Sequence, residues 1–132
     1  MPFHKVFVKD LVAEKLEKSI DDHWTFRFDN KTTLIRMVWI QGVITEVLDE
    51  NIIRFQDDHV SNHNVTVTNC KAARISLANT SLAIGDYCQI LAEITQVSTA
   101  KTLLKAVKIV PISNQVLKDV WPLEVKESLK FC

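Results

Sequence analysis

The chain has 132 residues, enough for one domain with a real core and too few for two. Sixteen Lys and Arg balance sixteen Asp and Glu, and 47% of the residues are hydrophobic; this excludes a disordered tail and a protein that holds nucleic acid by bulk positive charge. No apolar run approaches the roughly 18 residues of a membrane span, and the N-terminus lacks the apolar core of a signal peptide, so no membrane partner is expected.

Residues 5–8 alternate only briefly. Val8, Leu11, Val12 and Leu16 then recur at helical spacing with Glu14, Lys15, Glu17 and Lys18 between them, which predicts a short amphipathic helix over about residues 8–18. Residues 24–28 (WTFRF) alternate and predict a strand, with 29–31 as its turn. Residues 37–47 (MVWIQGVITEV) form a long β-branched and aromatic run with Gly42 at mid-length. A glycine inside a strand points to a bulge or sharp bend of the kind that closes a small barrel. Residues 52–56 return as a second strand, and a polar stretch leads into a third at 65–68. The path of 69–83 stays open. Gly85 turns the chain into a fourth strand ending at 97, residues 103–110 supply a fifth, and Pro111, which cannot donate to a ladder, closes the sheet. The tail changes to a helical period, with Ser113 or Asn114 as N-cap and Pro122 inside it, so a kink or two short helices is expected.

Because side chains alternate along a strand, each strand can be sorted by face. Val38, Ile40 and Ile44 share the face of Gly42 and point inward, leaving Met37, Trp39, Gln41, Val43 and Thr45 outside. Trp39 there either anchors a partner or is covered by the N-terminal segment. Placing Ile53 and Phe55 inward leaves Ile52, Arg54 and Gln56 outside, beside Asn64, Thr66 and Thr68. None is a ring on which a base could stack, Asp49 and Glu50 make one loop acidic, and the 98–102 loop has the single cation Lys101. Weak or no autonomous nucleic-acid binding is therefore expected, although a one-residue slip would swing Phe55 outward.

Cys70, Cys88 and Cys132 have no paired spacing and an odd total, which favours free thiols, with Cys88 packed as a small apolar residue. The sequons starting at Asn30, Asn64 and Asn79 are read as chance. His59 and His63 lie four apart near Asp57 and Asp58, but the stretch has the composition of a solvated loop, so no metal and no cofactor is expected. Without a phosphate loop, nucleophile elbow or strand-end carboxylate pair, the chain names no catalytic residue and reads as no enzyme. The remaining functional signal is the tail. Leu117, Val120, Trp121, Leu123, Val125 and Leu129 offer more apolar area than one small barrel is expected to cover. They mark a subunit interface, a helix docked on its own barrel, or one face for each.

Residues 26–30 (FRFDN), 38–44 (VWIQGVI) and 104–112 (LKAVKIVPI) resemble the oligonucleotide/oligosaccharide-binding (OB) domain of the replication protein A middle subunit. Val38, Trp39, Gln41 and Gly42, then Ala106, Val107 and Lys108, then Trp121, Leu123, Glu124 and Val125, with Pro2, Lys5 and Val6, are similar to the pattern of the RecQ-mediated genome instability protein 2 family. That resemblance runs from about residue 2 to 130. It implies an all-β fold with added helices: a five-stranded OB barrel over 31–112, an extension at 1–30 with a short helical segment, and a subunit-binding helix at 113–132. It also implies a non-catalytic nuclear scaffold subunit that pairs with the larger RecQ-mediated genome instability protein 1. Through that subunit it would serve topoisomerase III alpha and a Bloom-type helicase in dissolving double Holliday junctions without crossover. On this sequence, Lys5, Trp39 and Lys108 would dock a peptide from a repair factor, and Leu117, Val120, Trp121, Leu123, Val125 and Leu129 would contact the larger subunit. The connection between strands 2 and 4 looks longer than the family's, Ala92 and Glu93 stand where a glycine is usual, and Pro122 interrupts a helix the family keeps continuous. The rival readings are a single-strand-binding OB subunit and a self-associating OB module.

Overall fold

A computed structural model describes residues 3–58, 62–74 and 81–130. The element that organises the rest is β5 (Met37–Asp49), thirteen residues long and bent at its centre. Its first half pairs antiparallel with β8 (Tyr87–Val97) as far as Val43, and its second half pairs with β6 (Ile52–Gln56) from Val43 onward. A side chain at the bend is impossible, since a Cβ on Gly42 would stand 1.9 Å from the Gln56 carbonyl oxygen. β6 pairs with β7 (Val65–Thr68), β7 runs parallel to β9 (Thr102–Pro111), and β9 returns to β8, closing a five-stranded mixed barrel. This is the OB topology. Inside it Ile40, Ile44, Ile53, Phe55, Ile90, Leu104 and Ile109 are fully buried or nearly so. The alternation read from sequence therefore holds, and Phe55 faces inward. A one-turn helix, α1 (Cys70–Ala73), packs on β9 with Cys70 and Ala73 buried.

The N-terminal part departs from expectation. No helix spans 8–18: a single 3-10 turn occupies Val8–Asp10, and Leu16–Lys18 is a strand, β2. Val8, Leu11 and Leu16 are buried, as their apolar spacing requires. The main-chain N–H groups of Val8 and Lys9, however, donate to the Asp57 carboxylate at 2.8 Å each. That ties the segment to the barrel through a contact no local periodicity reveals. β2 pairs with β3 (Trp24–Phe28), and β3 with β4 (Lys31–Ile35), giving a separate three-stranded sheet. Residues 31–35 thus continue the extension rather than open the barrel. β1 (Phe3–Lys5) lies parallel to the start of β5. At the far end α2 (Gln115–Lys130) is one helix with Pro122 in its interior, not two.

The two glycines do different work. Gly85 sits at φ +92° with no atom within 4 Å of where its Cβ would be, so Gly85→Ala carries only backbone strain of about 1 kcal/mol. Gly42→Ala drives a methyl into backbone. Chemical denaturation should show a loss of about 3 kcal/mol or more for Gly42→Ala and the small loss for Gly85→Ala.

Candidate docking surfaces

The register aligns the residues expected to dock a peptide. Lys5 on β1 is opposite Trp39 on β5, Trp39 is opposite Leu91 on β8, and Leu91 is opposite Lys108 on β9. Directly opposed residues share a face, so these four side chains form one row across four strands. Trp39 and Leu91 are half-buried and Lys108 is exposed. A shift in register after Leu91 leaves Val107 exposed beside Lys108. Leu91 joins the row unannounced; the opposition of strands 4 and 5 was the signal that could have found it. Lys5 is already engaged: its ammonium meets the Glu124 carboxylate at 3.0 Å, and its main-chain N–H donates to Ser128 Oγ at 3.1 Å. Those contacts fix α2 against β1. The ion pair, about one-third exposed on both sides, contributes little on its own.

The tail stripe divides, which corrects the expectation that all six residues face a partner. Trp121 is 4% exposed and Val125 is fully buried, both within this chain where α2 packs beside β1, and Leu129 packs partly on the hydrophobic core. The outward face carries Val116 at 63%, Leu117 at 46% and Leu123 at 66% exposure, with Val120 half-exposed. One face of α2 is core and the other is open.

The groove where an OB barrel grips a strand is polar and walled on one side by the N-terminal segment. Arg54, His63, Asn64, Thr66, Thr99 and Lys101 line it, and so do Val12, Ala13 and Glu14 of the N-terminal segment, around a volume of about 520 Å³. Among the described residues no Phe, Tyr or Trp lines it, and its one ring is the His63 imidazole. The segment is pinned there by the Leu11 carbonyl, which accepts from Thr102 Oγ1 at 2.7 Å and lies 2.9 Å from His63 Nε2. His63 is thereby occupied in holding main chain, while His59 lies outside the described residues.

Asp57 anchors the same segment and was not anticipated as a structural residue. Burial pushes its carboxyl above the ordinary 3.8, a rise that the N–H groups of Lys9 and Val8 only partly offset. Tyr87 is also raised by burial; its hydroxyl accepts from Gln41 Nε2 at 2.8 Å, which gives the outward but buried Gln41 a partner. Burial likewise pushes the thiols of Cys70 and Cys88 up to about 11 and about 12. Neither is a nucleophile at neutral pH.

Residues 2–129 match the RecQ-mediated genome instability protein 2 family. The chain belongs to that family. No curated protein matches it. Among solved structures it is similar to a chain of "Structure and Conformational Change of a Replication Protein A Heterotrimer Bound to ssDNA". There the identity is 11% and the TM-score 0.63, covering 95% of this chain and 93% of that one. It is also similar to a chain of the S. pombe Stn1-Ten1 complex, with 12% identity and a TM-score of 0.68 over 97% of this chain and 92% of that one. These likenesses show the OB fold with its C-terminal helix. The family's name links the chain to genome stability, and no described helix is long and apolar enough to cross a membrane.

Three outcomes follow from the geometry. Trp121→Ala should cost about 3–5 kcal/mol in the isolated chain, measured by denaturant midpoint, because it empties a core site. Native protein should leave Cys70 and Cys88 unlabelled by iodoacetamide, and unfolded protein should label both, as read by peptide mass. Folded Asp57 holds its proton more tightly than the unfolded chain does, so this group stabilises most at low pH and less as pH climbs through its raised folded value. The stability of wild type minus that of Asp57→Asn should accordingly fall as pH rises from about 3.8.

Proposed function

We propose that the chain is a non-catalytic OB scaffold subunit of a RecQ-mediated genome instability complex. It is nuclear, and it supports topoisomerase III alpha and a Bloom-type helicase in processing homologous recombination intermediates, with double Holliday junctions dissolved without crossover. The family match supports this setting, and the observation that carries the molecular role is the division of α2. With Trp121 and Val125 committed to the barrel, Val116, Leu117, Val120 and Leu123 stand as a second, unused apolar strip. We assign that strip to the larger subunit, RecQ-mediated genome instability protein 1. At about 25 cal/mol per Å² three or four such side chains supply several kcal/mol toward an association whose costs the rest of the interface must help to meet.

The row Lys5, Trp39, Leu91 and Lys108 is the second handhold, for an extended peptide from a repair factor. Trp39 offers an apolar anchor and Lys108 attracts an acidic neighbour. Lys5 serves here mainly by holding α2 in place, since Glu124 already neutralises it. Autonomous nucleic-acid binding is weak or absent in this reading, because Val12, Ala13 and Glu14 line the groove and its one ring among the described residues, the His63 imidazole, is tied to the Leu11 carbonyl.

Leu123→Glu should abolish capture of the larger subunit's OB domain in co-purification while leaving the far-UV dichroism and melting of the lone chain unchanged. Unfolding of that variant would return the strip to the core and sink the assignment. Titrating the isolated chain with fluorescent oligothymidine should show no micromolar binding. Tight binding with a steep salt slope would favour the rival single-strand-binding subunit.

A further inference from the structure

The small sheet has an unpaired side, and the hydrogen bonds around it say which residues face it. The Arg27 N–H donates to the Lys15 carbonyl at 2.8 Å and the Ser19 N–H to the His23 carbonyl at 3.0 Å. Along β3 and at His23 just before it, therefore, His23, Thr25 and Arg27 aim their main-chain groups at the β2 side. Trp24, Phe26 and Phe28 aim theirs at β4, where their partners are Ile35, Thr33 and Lys31. Thr32 and Leu34, at the alternate positions, direct their N–H and C=O groups off the opposite side. Arg36 continues the alternation, and its carbonyl accepts from the Ile94 N–H at 3.2 Å, so the open side is the one β8 would have covered. β8 does not go on to cover it. The ladder between β5 and β8 ends at Met37 and Glu93, and the Ile94 carbonyl is taken at 3.1 Å by the Trp24 indole N–H. Leu34 is 48% exposed and Thr32 is exposed as well.

We propose that this edge of β4 accepts an extended, acid-flanked segment of another protein as a fourth strand of the small sheet. Two donors and two acceptors stand in register on a pre-formed strand, which is what strand addition uses. The charge decides between occupants. Lys31 and Arg36 bracket the edge, and no acid lies between them. A second copy of this chain would bring the same cations against their own kind. A segment of five or six residues with an acid at each end meets them with opposite charge. Its central residue, opposite Leu34, is apolar or β-branched, since Leu34 shares its face with Thr25. Both cations are only loosely held: Arg36 lies 4.0 Å from Glu93, and Lys31 reaches the Lys130 carbonyl at 3.1 Å from an exposed position. The competing role for edge lysines is to repel any added strand, and the experiment separates the two.

The test uses the full chain, isotope-labelled for amide hydrogen exchange. Its probe is a synthetic hexapeptide of alternating valine and threonine with an aspartate at each end, and the control carries a lysine at each end. In the free protein the Thr33 and Ile35 amides should be protected by β3, and those of Thr32 and Leu34 should exchange freely. The aspartate peptide should slow Thr32 and Leu34 by about tenfold or more, and the lysine peptide should not. Leu34→Pro removes an N–H that the β3–β4 ladder does not use, so Thr33 and Ile35 should stay protected while peptide protection is lost. If that variant unfolds, the double reversal Lys31→Glu with Arg36→Glu should switch the preference to the lysine peptide. The proposal is overturned by any of four results: Thr32 and Leu34 already protected in the monomer, equal response to the two peptides, no response to either, or a dimer in light scattering that Leu34→Pro dissolves. The last would give the edge to a second copy.

Discussion

Everything in this fold depends on β5 reaching two neighbours at once. A thirteen-residue strand left straight would pair along one line and leave the sheet open. Bent at Gly42, it meets β8 with one half and β6 with the other, and the barrel closes without an exposed edge. The approach of the Gln56 carbonyl that makes this bend leaves no space for even a methyl group. Gln56 is followed by Asp57, whose carboxylate receives the Val8 and Lys9 N–H groups. The strand crossing that closes the barrel thus also delivers the group that anchors the N-terminal segment.

That anchor explains why the N-terminal segment walls the groove. An ionised carboxylate is costly to bury, and Asp57 is held by two backbone donors that would otherwise go unsatisfied at the start of a turn. From there the chain runs to Leu11, whose carbonyl meets Thr102 and His63, and Val12 to Glu14 form one wall of the groove. Val8 and Leu11 are fully buried, so lifting the segment out would expose core.

Legibility in the sequence follows the range of the interactions concerned. Strands whose faces alternate between a closed core and the outside were readable almost to the residue: 24–28, 52–56 and 65–68 stand where their patterns put them. So was the one glycine at which β5 bends. Residues 8–18 were misread because Val8, Leu11 and Leu16 have helical spacing yet are buried by contacts made from Asp57 and Phe26, forty-nine and ten residues away. β4 was missed because KTTLI has little alternation in hydrophobicity and pairs only with β3. The row of Lys5, Trp39, Leu91 and Lys108 needed the register of four strands, of which the sequence identified the members at its ends and centre but not Leu91.

The tail was the hardest to read because one periodicity serves two purposes. Leu117, Trp121, Val125 and Leu129 are spaced by four, and at 3.6 residues per turn each step rotates the side chain by about 40°. A row of four therefore sweeps about a third of the way around the helix, and a single flat contact covers only its middle, which is why Trp121 and Val125 are buried and Leu117 is not. Pro122 sharpens the point. It sits exposed in the middle of α2 and removes the N–H that would bond the Lys118 carbonyl, at a cost of about 3 kcal/mol. Burying the Trp121 ring contributes about 4–6 kcal/mol by area, less about 1–3 kcal/mol for its buried indole N–H, which has no partner, so this packing offsets much of the proline's cost. An isolated helix with this sequence would not hold together at Pro122. Its outer strip of Val116, Leu117, Val120 and Leu123 is held in one helical row only because Trp121 and Val125 on the inner face are already buried.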